Sequence, residues 1–202
     1  MRDLLFFFDY KSPYSYLALD SVYRLESQYD LNVEWIPFVL DIAATFGRVE
    51  ERTPLQWDKV RHMYTDVRRW ANKRGLIIKG PQKIFDSSLA AKGYYFIKKH
   101  GGDVKRYHAT IFEKFFQRQL DIEDITALSQ IIETCHVSAH LFPEFAQSEG
   151  QNLLQQGYEK ARKLGVFGIP SFYFADELFV GQDRVSLLEE HIQGRLSGGD
   201  QP

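Results

Sequence analysis

The chain has 202 residues, 44% apolar and 26% charged, with a formal net charge of −2. That length buries a core without metal or disulfide staples, and the near-neutral balance gives no general electrostatic pull toward nucleic acid or anionic lipid. A single cysteine, Cys135, excludes an intrachain disulfide, a CxxC pair and a thiolate metal site, and the histidines show no close metal-ligand spacing, so no metal is expected.

The first element is the continuous apolar run Leu4 to Phe8, which ends at Asp9. It is too short for a signal h-region and lacks a small-residue cleavage site, and no later run is long enough to span a membrane. The expectation is a cytoplasmic protein without a membrane partner, with this run as a strand buried on both faces. Ser12-Pro13 is a helix start signal, and Tyr14, Leu17, Ala18, Val22 and Leu25 recur at helical spacing toward Tyr29. Leu31 to Phe38 reads as a second strand, which Pro37 either ends or confines to an edge.

The middle of the chain is helical. Thr53-Pro54-Leu55-Gln56 reads as an N-cap, a first-turn proline and a capping-box glutamine ahead of a helix carrying Trp57, Val60, Tyr64, Val67 and Ala71. The basic segment Arg61, Arg68, Arg69, Lys73, Arg74 is interrupted by Asp58 and Asp66, and reads as a solvated face or as a patch for a small anion. Further helices are expected over Ser87 to Lys99, Asp103 to Arg118 and Ile122 to Glu133, and from Pro143 to Leu164 with a break near Gly150. Ser171 to Ala175 and Leu178 to Val180, separated by Asp176-Glu177, signal a hairpin. A final helix follows Gly181-Gln182-Asp183, and the polar tail Ser197 to Pro202 is expected to fray. Strands at both ends with helices between them describe one α/β sheet with a helical block inserted into it.

Three segments sharpen this outline: Phe7-Phe8-Asp9-Tyr10-Lys11-Ser12-Pro13-Tyr14-Ser15, Gly165-Val166-Phe167-Gly168-Ile169-Pro170, and Gly181-Gln182-Asp183-Arg184. With them the chain resembles the 2-hydroxychromene-2-carboxylate isomerases and the kappa-class glutathione transferases, both in the DsbA-like branch of the thioredoxin superfamily. The resemblance implies a thioredoxin-like α/β fold with a large all-helical insertion. Residues 1–38 plus 150–202 would form the thioredoxin-like domain and 39–149 the inserted helical domain.

The resemblance also implies glutathione as cofactor and assigns residues to it. Ser12 would face the glutathione thiol as the catalytic residue. Ile169 would offer its backbone to the cysteinyl part, next to a cis Pro170, and Gln182 and Asp183 would hold the γ-glutamyl end. Arg61 would lie near the glycyl end, where a lysine is usual. The chain departs from the isomerases at Val49-Glu50-Glu51-Arg52-Thr53-Pro54, where a Gly-Asn pair is general, and Arg52 stands closest to the missing asparagine.

Ser12 can donate its hydroxyl proton to a thiolate at the positive end of a helix, or it can be an ordinary cap; Lys11 adds a charge if it points inward. Asp183 can likewise cap the last helix, bind an amine, or do both. Tyr64, Trp57, Phe46 and Phe38 are candidates for an aromatic wall or plain core, and Arg61 or Arg68 for holding a substrate carboxylate. The function implied is a glutathione-dependent isomerase acting on a small conjugated aromatic carboxylate. A kappa-like glutathione transferase or thiol-dependent peroxidase, and a non-catalytic thioredoxin-like binding protein, are the alternatives. A homodimer is implied by the resemblance alone.

Overall fold

Because Leu4, Phe6, Phe7 and Phe8 are fully buried, the first strand occupies an inner position of its sheet. The computed structural model describes residues 2–197, leaving Met1 and most of the polar tail outside the described residues. Its contacts divide into two units: the chain up to Phe38 together with the chain from Gly157 onward, and Val39–Gln156.

The first unit contains β1 (Arg2–Phe8), α1 (Pro13–Tyr29), β2 (Leu31–Pro37), β3 (Ser171–Phe174), β4 (Glu177–Val180) and α9 (Val185–Ser197). The strand order is β2-β1-β3-β4. β1 runs parallel to β2, with Phe6 opposite Trp35, and antiparallel to β3, with Phe7 opposite Ser171. β2 is an edge strand, and Pro37 ends it. An edge position tolerates the missing N–H of proline.

The phenylalanines of β1 serve both sheet faces. Phe6 meets Trp35 edge-on at 4.9 Å and stacks near Phe172 at 5.0 Å. Phe7 packs on the other face with Ile36, Ala161 and Val166. Truncating any of these buried rings to alanine would cost about 3–5 kcal/mol. The hairpin turn is Ala175-Asp176, with φ of 48° and 65°, one residue earlier than the expected Asp176-Glu177. Two consecutive positive φ values give the strand-compatible twist of a two-residue turn.

The second unit is helical. It holds α2 (Ile42–Phe46), a 3-10 turn at Val49–Glu51, α3 (Pro54–Lys73), α4 (Ser88–Lys99), α5 (Val104–Phe116), α6 (Ile125–Thr134), a 3-10 turn at Ala139–Leu141 and α7 (Phe142–Gln147). α8 (Glu149–Lys163) then carries the chain back into the first unit. The capping box of α3 is complete: Gln56 N–H donates to Thr53 Oγ1, and Thr53 N–H donates to Gln56 Oε1 at 2.8 Å.

α6 begins three residues later than the sequence suggested, because Asp124 caps it, accepting from Thr126 and Ala127 N–H, instead of lying in its first turn. α2 was not anticipated: five residues are too few to show a period. Ser148 separates α7 from α8 close to the expected break. The core of this unit is aromatic, with Tyr94, Phe96, Tyr107, Phe112, Phe116 and Phe142 each at most 1% exposed. Gly93 on α4 makes room for Tyr107, whose hydroxyl donates to Ala90 O at 2.9 Å.

Candidate functional site

The turn after β1 is wound by its two serines. Ser12 N–H donates to Asp9 O at 3.0 Å. Ser12 Oγ caps α1, accepting the Ser15 N–H at 3.2 Å, while Ser15 Oγ accepts the Asp9 N–H at 3.3 Å. Ser15 is 0% exposed and its oxygen serves the backbone, so its role is structural. Ser12, 9% exposed, spends a lone pair on its cap bond and keeps its O–H proton for another acceptor. The capping reading and the donor reading are therefore compatible in one side chain.

Electrostatics around Ser12 come mainly from the backbone. No acidic residue lies in the first turn of α1, so the positive end of the helix dipole is not neutralised there. Lys11 does point inward, its side chain 9% exposed, but its Nζ lies 3.2 Å from Asp9 Oδ2 and forms an ion pair. It brings no uncompensated charge. Sequence reasoning left Asp9 without a task; the only signal was an acid between an apolar strand and a lysine.

The Ile169–Pro170 peptide bond is cis. Phe7 pairs with Ser171, so extending that antiparallel register by one residue sets Pro170 beside Phe8, at the strand end that leads to Asp9 and Ser12. On the other side Pro170 O accepts the Gly181 N–H at 2.8 Å, tying the proline to the start of the segment that holds Gln182. α1 packs against the 3-10 turn Gln182–Arg184. Ser12, Ile169, Pro170 and Gln182 thus share one end of the sheet.

Among the described residues, neither the N–H nor the C=O of Ile169 has a hydrogen-bond partner. Gln182 is 5% exposed, whereas Asp183 is exposed and pairs with Arg184 at 3.0 Å. Asp183 lies inside the 3-10 turn, and no side chain caps that turn.

Arg61 belongs to the second unit, where it is exposed and paired with Asp58. Of the aromatic candidates, Phe38 packs against Tyr158 and the Phe7 cluster of the first unit, as plain core. Trp57 and Phe46 lie in the second unit around Arg52, which also acts electrostatically on Tyr64. Cys135 is buried, and that burial raises its thiol pKa. Among the described residues no group of His, Cys, Asp and Glu could hold a metal ion, and no helix is long and apolar enough to cross a membrane.

Residues 3–193 match the model of the DSBA-like thioredoxin domain. The chain belongs to that family. It is 26% identical to the 2-hydroxychromene-2-carboxylate isomerase of Pseudomonas putida over 95% of this chain and 94% of the relative. A solved structure of 2-hydroxychromene-2-carboxylate isomerase superposes with a TM-score of 0.77 at 22% identity, over 97% of this chain and 96% of the other. The cytosolic disulfide reductase DsbM of Pseudomonas aeruginosa, solved with GSH, superposes with a TM-score of 0.64 at 15% identity, over 95% and 99% of the two chains. The fold is thus thioredoxin-like, a β-α-β sheet with a large all-helical insertion.

Proposed function

We propose that the protein is a glutathione-dependent isomerase of a conjugated aromatic carboxylate such as 2-hydroxychromene-2-carboxylate. The carrying observation is the unpaired N–H and C=O of Ile169, held by a cis peptide bond at the sheet end that also bears Ser12. An extended peptide adds to such a backbone pair as a further strand would. The residues fit glutathione: Ile169 would take its cysteinyl backbone, Ser12 would donate to its sulfur, and Gln182 and Asp183 would meet its γ-glutamyl end. The family likeness gives the glycyl carboxylate to Arg61, whose present partner is the exposed Asp58.

When bound, glutathione would supply a thiolate whose reversible addition to the conjugated system frees a double bond to rotate. Ser12 contributes a hydroxyl proton, and the amino end of α1 a positive potential, both of which favour a sulfur anion over a thiol. Ser12 in this role is a hydrogen-bond donor and not the attacking group. Ser12 and Ser15 occupy both ends of a would-be CxxC spacing, so the turn itself supports no thiol–disulfide exchange. The homology to hydroxychromene carboxylate isomerases favours isomerisation over the other thiol chemistry that this site could serve. A homodimer and a cytoplasmic setting belong to the same reading.

The test is calorimetric titration with reduced glutathione across pH, on the wild type and on Ser12→Ala, followed by turnover of 2-hydroxychromene-2-carboxylate. Binding that releases a proton in the wild type only, with turnover that leaves glutathione unconsumed, is expected. Net consumption of glutathione into a conjugate would make the protein a transferase, and absence of binding would sink the reading.

A further inference from the structure

Arg52 has no part in the thiol site, and its surroundings are built. It closes the 3-10 turn Val49–Glu51, and its Nε–H is shared between the carbonyl oxygens of Phe46 at 3.1 Å and Gly47 at 3.2 Å. Its guanidinium carbon lies 4.9 Å above the Trp57 ring. These contacts hold the head group through its Nε and its face and use neither terminal nitrogen. Among the described residues, no carboxylate pairs with Arg52 and no acceptor meets those nitrogens.

The basic residues of α3 that the sequence offered for a carboxylate are both exposed. Arg61 pairs with Asp58, and Arg68 Nε donates to Tyr64 O at 3.0 Å. Arg52 differs from both in being half-buried without an acid. Trp57, Phe46 and Tyr64 around it are half-buried as well. Burial pushes the Tyr64 phenol up to about 12, with Arg52 pulling it the other way, so the phenol is a neutral donor at physiological pH.

A guanidinium fork matches a carboxylate bidentately, and stacking on an aromatic face pre-orders it at little further entropic cost. The half-buried Trp57 ring beneath it supplies flat apolar area, which suits a planar ligand better than an aliphatic one. We propose that Arg52, held over Trp57 by the Phe46 and Gly47 carbonyls, is the site at which the inserted helical unit takes an aromatic carboxylate. This rests on the reading of the protein as acting on such a compound, and it moves the carboxylate contact from Arg61 or Arg68 to the residue standing nearest the missing family asparagine.

The experiment is titration of the full chain with salicylate and with its neutral isostere salicylamide, with reduced glutathione titrated in parallel. In the wild type salicylate should bind about tenfold more tightly than salicylamide or better. Arg52→Gln should abolish that preference, and Arg52→Lys, which keeps the charge without the fork, should fall between. Both variants should bind glutathione as the wild type does. Equal binding of the two probes by the wild type overturns the proposal, whether or not the variants fold. So does a salicylate preference that survives in folded Arg52→Gln. If glutathione fails to bind while salicylate does so through Arg52, the isomerase reading falls and the carboxylate site stands.

Discussion

Asp9 holds Lys11 at two points: its Oδ1 accepts the Lys11 backbone N–H at 3.0 Å, and its Oδ2 lies 3.2 Å from Lys11 Nζ. Both side chains are nearly out of solvent, at 0% and 9% exposure. A pair in that setting is weak evidence of stability as a pair, but breaking it strands a charge. Asp9→Asn should therefore cost about 3 kcal/mol in urea denaturation, and adding Lys11→Met should restore much of the loss. A cost below about 0.5 kcal/mol for the single change would show that the lysine escapes to water.

The two roles of Ser12 can be separated by one substitution. Aspartate caps helices as well as serine does, so Ser12→Asp should keep stability within about 0.5 kcal/mol of the wild type. It also puts a fixed negative charge where a sulfur anion is to be favoured. Glutathione affinity should fall by about tenfold or more. Unchanged affinity in a stable Ser12→Asp protein would mean that Ser12 is a cap alone.

Arg24 on α1 grips Glu189 on α9 with two bonds of 2.6 Å, and Tyr29 Oη donates to the same carboxylate at 2.8 Å. The hydrogen bond from Arg24, with smaller help from Tyr29, holds the Glu189 carboxyl below its ordinary range. A depressed folded-state pKa stabilises above the unfolded pKa and ceases to do so as pH falls through the folded one. Glu189→Gln should thus cost about 0.5–1 kcal/mol at neutral pH, the scale of a partly exposed bidentate pair. The gap to the wild type should close as the pH falls below the ordinary carboxylate range, and a gap independent of pH would contradict the account.

Gly93 is conspicuous because alanine ordinarily favours a helix by about 1 kcal/mol. Here a Cβ would lie 2.1 Å from Tyr107 Oη, driving the hydroxyl from Ala90 O inside a packed core. Gly93→Ala should destabilise the protein by about 2–4 kcal/mol. Tyr107→Phe in the same background should recover part of it by removing the clashing oxygen, as thermal melts of the wild type and the two variants would show.

What could be read in the sequence was local. The Thr53–Gln56 capping box, the buried run Leu4 to Phe8, the edge-limiting Pro37 and the cis-proline segment each carry their signal within a few residues, and the structure returns all four. The family likeness placed Ser12 and Ile169 at positions that the sheet brings to one end. The turn-level relationships were not legible. Asp9 meets Lys11 only because Ser12 and Ser15 wind the backbone between them. Arg52 meets the carbonyls of Phe46 and Gly47 only because α2 ends where it does, and a segment that short has no period to detect. Asp124 was visible as an acid near a helix start, yet whether it caps the helix or lies within it depends on its backbone angles, φ −86° and ψ 109°.

The pairing of Phe7 with Ser171 sets an order of events on the ribosome. β1, α1 and β2 leave the exit tunnel first, and the whole helical insertion follows before the strand that covers the other side of β1 exists. Through that interval the run Leu4 to Phe8 shows an open, uncharged edge, the type of segment that nucleates aggregation. Its immediate neighbours Arg2, Asp3 and Asp9 are charged, and charges flanking an unavoidable apolar strand act as gatekeepers. Chains interrupted before Ser171 should accordingly depend on chaperones in a way that the finished protein does not.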